Sequence, residues 1–187
     1  MNQQTLKAPF TLEGKGLHSG INMKATFKPA PANHGYKFKR VDLEGEPVID
    51  ALAENVVDTA RGTVLGRGDV RVSTVEHALA ALFASGVDNC LIEVDGPEVP
   101  ILDGSGIRFI EEIEKVGLEE QDHDKDFYII KQKTQLHDPE TGSTITIYPE
   151  ENFSVETMVE YNSPVLPNQF AVLDDLAEFK EEVAGAR

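Results

Sequence analysis

The sequence predicts an α+β fold, a two-layer sandwich in which helices cover one face of an antiparallel sheet. Three features predict it: short β-rich runs between glycines and prolines, two amphipathic helical patterns after them, and a polar break before a second set of strands. The first runs are "TLEGKG", "INMKATFKPA", "GYKFKRVDL" and "GTVLGRGDVRV", each bounded by turn residues. After Ser73, apolar residues recur at Val75, Ala78, Leu79, Leu82 and Phe83, the spacing of one helix face, and Ser85-Gly86 supplies a stop. "NCLIEV" reads as a buried strand and "GPEVPILDGSG" as a turn-rich connection. A second helix is predicted from Ser105 as N-cap, with Ile107, Ile110, Ile113 and Val116 inward and Gly117 as C-cap.

"EEQDHDKD" is polar throughout and reads as a linker over 119–126, between a first α+β domain (1–120) and a second one (127–187). In the second, "FYIIKQKTQL", "GSTITIYPE" and "FSVETMVEY" predict an antiparallel meander with "DPETG" as a turn. "SPVLPNQF" is a loop, and Leu173, Leu176, Phe179 and Val183 fall at helical spacing. This unit lacks the second helix and closing strand of the first, so its sheet is expected to be partly uncovered and the domain truncated.

The chain has 187 residues, of which 40% are hydrophobic, enough for a real core. A formal charge of -16 argues against a protein that coats nucleic acid or an anionic membrane, since both would repel it at long range, while leaving room for a small, locally basic pocket. The single cysteine, Cys90, precludes an internal disulfide and reads as a small core hydrophobe, which fits a reducing cytoplasmic setting. The start "MNQQTLKAPF" has no signal-peptide pattern, and no segment approaches the roughly 20 apolar residues of a membrane span.

The chemistry-bearing stretch is "STVEHALAAL". Ser73 and Glu76 stand in the S-x-x-E relation of a capping box, which by itself accounts for the acid. At 100° per residue His77 lies nearly opposite Val75, Leu79 and Leu82, flanked by Ala80 and Ala81. Pattern leaves it either an exposed or structural histidine or one turned toward a second layer. Four residues beyond the five histidines stand Asn22, Phe38, Ala81, Phe127 and Thr141, none of them a metal ligand, so no helix carries the second half of a zinc motif. His123 and His137 read as surface residues. His18, in "GKGLHSG", lies in a glycine-flanked loop where backbone can approach a ligand closely, or is a turn residue. "EGKGLHSG" does not match G-x-x-x-x-G-K-[ST], which argues against a phosphate-binding loop.

Together "GKGLHSG", "PAPANHGYKFKRVDL", "RVSTVEHALAAL", "GVDNCLIEV" and "PEVPILDGSG" make the sequence similar, from about Thr5 to Arg187, to the amino-terminal half of the UDP-3-O-acyl-N-acetylglucosamine deacetylases, the zinc amidases of lipid A synthesis. The resemblance implies two similar α+β domains with the active site between them. It implies that His77 is a zinc ligand and Glu76 the general base of the "TVEH" motif, that His18 lies near the active site, and that Thr63 falls in a segment lining it. "ARGT" departs from the family variants around Thr63. The family's remaining zinc ligands, in H-K-x-x-D-x-x-G-D, and its general acid histidine do not occur here. The chain is therefore expected to be a front portion that hydrolyses no UDP-acyl-aminosugar alone and holds zinc poorly. Two rivals stand beside this reading: a non-catalytic acidic binding domain, and the front of a bifunctional chain that continues into a hydroxyacyl-carrier-protein dehydratase.

Overall fold

A computed structural model describes residues 1–187 as two compact units, the first formed by 1–124 with 179–187 and the second by 125–178. In chain order the first unit contains β1 (Asn2–Leu6), β2 (Phe10–Lys15), β3 (Asn22–Pro29), β4 (Tyr36–Arg40), β5 (Val48–Asp50), β6 (Val56–Asp58), β7 (Val64–Arg67) and β8 (Val70–Ser73). It continues with α1 (Glu76–Ala84), β9 (Cys90–Val94), α2 (Ile107–Val116) and β10 (Leu118–Asp124). The α+β class predicted from the sequence is the one observed.

The main sheet has the order β2-β3-β9-β4-β5, antiparallel except for the parallel pair β4–β9. Its register puts Phe10, Phe27, Ile92, Phe38 and Ile49 in one cross-strand row, and all five are buried. The adjacent row, Thr11, Thr26, Glu93, Lys39 and Val48, faces the other way, and there Lys28 and Lys39 both pair with Glu93. Period-two alternation thus separates an apolar face from a charged one. The apolar face is covered by α2, through Phe109, Ile110 and Ile113, and by Val75, Ala78, Ala81 and Leu82 of α1 and its cap. Phe27 stacks on Phe10 at 4.7 Å and meets Phe109 edge-on at 5.9 Å. Burying side chains of this size contributes about 1.5–3 kcal/mol each. The stripe on α1 differs from the predicted one at two positions. Phe83 is 49% exposed, whereas Ala81, expected beside His77 on the far side, is fully buried and belongs to the core. Cys90 is buried in β9, and burial pushes its thiol up to about 12, as suits a core residue rather than a nucleophile.

The stretch expected as a linker over 119–126 is mostly strand. β10 pairs antiparallel with β1, placing Leu6 opposite Leu118 and Asn2 opposite Asp124. Polarity misleads here because amides rather than apolar groups hold the ribbon down. Asn89 Nδ2 donates to Gln3 Oε1 and Gln121 Oε1, both at 2.8 Å, and Gln121 Nε2 donates to the Ala30 carbonyl at 2.9 Å. Asn89 Oδ1 accepts the Gly35 N–H, and Thr5 Oγ1 donates to the Asn89 carbonyl. The first unit therefore runs through Asp124, and His123 is an exposed residue of β10. A second sheet, β6-β7-β8, delivers the chain to α1, and the buried guanidinium of Arg40 anchors it by donating to the Arg71 carbonyl.

The second unit contains β11 (Thr134–His137), β12 (Thr144–Ile147), β13 (Val155–Val159) and β14 (Gln169–Leu173). These form two separate hairpins, β11–β12 and β13–β14, rather than the single meander expected, and residues 127–133 are not strand. "DPETG" does form the turn, with Thr141 Oγ1 donating to Asp138 and Gly142 at φ +74°. The predicted C-terminal helix is reduced to a 3-10 turn (Leu176–Glu178) and the short α3 (Phe179–Glu182), because Leu173 is taken up by β14. From Phe179 onward the chain belongs to the first unit. There Phe179 and Ala184 join the core, Lys180 pairs with Glu114 at 2.7 Å, and Arg187 reaches Asp103 at 3.2 Å.

Candidate active site

The junction between β8 and α1 sets the geometry. Ser73 is the last residue of β8. Its N–H donates to the Pro97 carbonyl at 2.9 Å, its carbonyl accepts the Val99 N–H at 3.0 Å, and its Oγ donates to Pro97 O at 3.1 Å. It is therefore not available as an N-cap, and the expected capping box does not form. Thr74 turns the corner at φ +57°, a conformation costly for a β-branched residue. Val75 is the helix cap, so Glu76 and His77 are the first two residues of α1.

Released from capping, the Glu76 carboxylate points to another loop. Its Oε2 accepts the Thr63 N–H at 3.1 Å. Its Oε1 has no donor, and Gly62, at φ +146°, keeps that side open: a Cβ there would stand 3.0 Å from Oε1. His18 reaches the same loop, its Nε2 lying 2.9 Å from the Arg61 carbonyl. A carbonyl only accepts, so Nε2 carries the proton in this contact. The structure thus brings Thr63 directly onto Glu76 and His18 onto the same short segment. His77, half-buried beside Glu76, makes no hydrogen bond. His34 and His137 bond to neighbours of their own, Gly35 and Thr144.

Sequence reasoning missed Glu98. Its side chain is 1% exposed, and its carboxylate accepts the His18 N–H (3.0 Å) and the Thr74 hydroxyl (2.9 Å) on Oε1 and the Ser19 N–H (2.9 Å) on Oε2. Burial works against its charge, yet the bonds from His18, Ser19 and Thr74 outweigh it and hold the carboxyl below its ordinary range. A signal did exist: glutamate between two prolines in "GPEVP", inside a run read only as a turn.

These residues can be tested against a metal. His77 offers one unpartnered imidazole, but nowhere do three His, Cys, Asp or Glu side chains converge. Zinc takes at least three protein ligands, so the side chains of this chain do not by themselves make up a zinc site.

Fold and site together define an α+β domain that presents a carboxylate and an imidazole side by side on the first turn of a helix, with the Thr63 loop bonded to the carboxylate and His18 bonded to that loop. The family model for UDP-3-O-acyl N-acetylglycosamine deacetylase matches residues 3–187, and the chain belongs to that family. Among its relatives, a bifunctional enzyme LpxC/FabZ of Bacteroides thetaiotaomicron is 58% identical over all of this chain and 41% of its own length. The corresponding bifunctional enzyme of Porphyromonas gingivalis is 57% identical over 99% of this chain and 40% of its own. A UDP-3-O-acyl-N-acetylglucosamine deacetylase of Myxococcus xanthus is 42% identical over all of this chain and 59% of its own. The chain thus spans less than two thirds of each of these relatives.

Proposed function

We propose that this chain supplies the Glu76–His77 side of a cytoplasmic, zinc-dependent deacetylase that hydrolyses the acetamide of UDP-3-O-acyl-N-acetylglucosamine in lipid A biosynthesis. The observation that carries this reading is the open Oε1 of Glu76 beside an unpartnered imidazole, in a chain of this family. Glu76 is the general base. Thr63 N–H holds one carboxylate oxygen, so the carboxylate is aimed while the other oxygen takes the proton of the water that attacks the acetamide carbon. Water adds to that carbon, the C–N bond breaks as the departing nitrogen takes up the proton held by Glu76, and acetate and the 2-amine leave. His77 would be one ligand of the zinc, which needs further ligands besides it; the metal, when bound, would supply Lewis acidity toward water and carbonyl. His18 and Thr63 line the substrate side. No helix of the structure is long and apolar enough to cross a membrane.

The test is acetate release and metal content of the whole gene product. Glu76→Ala is expected to keep its metal and lose turnover by about 10²–10⁴-fold, and His77→Ala to lose both. The 187 residues alone are expected to hold zinc poorly and to release no acetate. Wild-type turnover in either variant, or turnover indifferent to chelation, rejects the reading. The identity to bifunctional relatives favours a second reading of the whole protein, in which a hydroxyacyl-carrier-protein dehydratase follows the deacetylase. The reading frame past Arg187 decides it.

A further inference from the structure

We infer that Glu98 is a positioning residue: its buried carboxylate fastens the His18 loop to the corner that starts α1, and thereby sets the distance between His18 and the Glu76–His77 pair. The two segments are far apart in sequence and share no backbone pairing of their own. The carboxylate joins them, with His18 and Ser19 N–H on one side and the Thr74 hydroxyl, two residues before Glu76, on the other. Its backbone is fixed independently, by the Ser73–Glu98 bridge and by the bonds that Ser73 makes to Pro97 and Val99. The loop is built around the carboxylate. A Cβ on Gly16 would stand 2.2 Å from Glu98 Oε2, so glycine is required for the loop to close down on it. Thr74, held at positive φ, has its hydroxyl oriented by the same group, which offsets part of the strain at the corner. His18 and its neighbours are exposed, yet through this carboxylate and the Arg61 carbonyl the His18 ring is fixed in place and in tautomer.

The isosteric change Glu98→Gln separates this role from simple burial. If the amide oxygen keeps the His18 N–H and the Thr74 hydroxyl, its NH₂ faces the Ser19 N–H, donor to donor; in the opposite flip the Thr74 hydroxyl can turn to accept, but the NH₂ faces the His18 N–H, donor to donor. Gly16→Ala displaces the intact carboxylate from the loop side. Native-state hydrogen exchange on the 187-residue chain supplies the first measurement and needs no variant. The His18 and Ser19 amides are expected to exchange at least about tenfold more slowly than in unstructured peptide, although both residues are exposed. In Glu98→Gln and Gly16→Ala that protection falls at least about tenfold at these two amides, with the β9 amides unchanged, and the ring nitrogens of His18 report a mixture of tautomers by NMR. Unprotected amides in the wild type overturn the inference, as does a folded variant of either kind that keeps both the protection and the single tautomer. If either variant does not fold, the other and the wild type decide.

The functional half rests on the proposed deacetylase reading. In the whole gene product, Glu98→Gln is expected to lower kcat/KM about 10–100-fold through a raised KM at unchanged metal content. A merely destabilised enzyme shows a lower apparent kcat at unchanged KM, and that result overturns the positioning role. If the wild-type protein releases no acetate, the deacetylase reading fails, while exchange and tautomer still judge the tether.

Discussion

In the main sheet of the first unit the row Phe10–Phe27–Ile92–Phe38–Ile49 is shielded on every strand. In the second unit the cross-strand partners Leu136 and Ile145 stand 69% and 63% exposed, and Met158 and Phe170 each 65%. Both regions alternate apolar and polar residues, and both pair their strands in good register. The difference is a covering layer: α1 and α2 lie over the first sheet, whereas each hairpin of the second unit is only two strands wide. Backbone pairing fixes which residues share a face, but it takes a second layer to remove that face from water. No residue of 125–178 belongs to the contiguous core.

The largest expected effect sharpens this contrast. Phe27→Ala removes a ring stacked on Phe10 and edge-on to Phe109 and should cost about 3–5 kcal/mol in urea unfolding. Next comes the amide cluster. Asn89→Ala leaves the Gly35 N–H and Gln121 Oε1 without a partner and removes one of the two donors to Gln3 Oε1, at about 1–3 kcal/mol, and should speed exchange in β1 and β10 before β9. A third test uses acid. The Glu98 carboxyl lies below its ordinary value of 4.5 in the folded chain, so between the two values the unfolded chain binds the extra proton. Its contribution to stability is therefore complete above pH 4.5 and lost as pH falls through the lower folded value. Chemical denaturation across that interval should show the gap between wild type and Glu98→Gln narrowing. Smallest is Ile145→Ala in the second unit, within about 0.5 kcal/mol. A loss there as large as at Phe27 would break the comparison.

What the sequence made legible follows the same division. β2, β3, β4 and β9, both long helices and the stops at Gly86 and Gly117 are marked by apolar period or by glycine, and each of these signals is local. β1 and β10 escaped because Gln3, Asn89 and Gln121 satisfy one another across the fold, which no single stretch displays. The capping box misled because Ser73 is claimed by the backbone of Pro97 and Val99, some 24 residues on. At the site, Glu76, His77, His18 and Thr63 were read from motif, and three of the four fall on adjoining segments tied by hydrogen bonds. Glu98 was not, because its significance lies in amides about 80 positions earlier.

The chain leaves the first unit after Asp124 and rejoins it at Phe179, laying Ala184 beside Gly106 and Lys180 against Glu114. A ribosome releases α2 long before the segment that braces it, so this unit is sealed late in synthesis, after everything between has been translated. The connections between the hairpins of this excursion are, in turn, places where evolution can add length cheaply: doubling a flexible connection costs only about 0.6 kcal/mol of closure entropy.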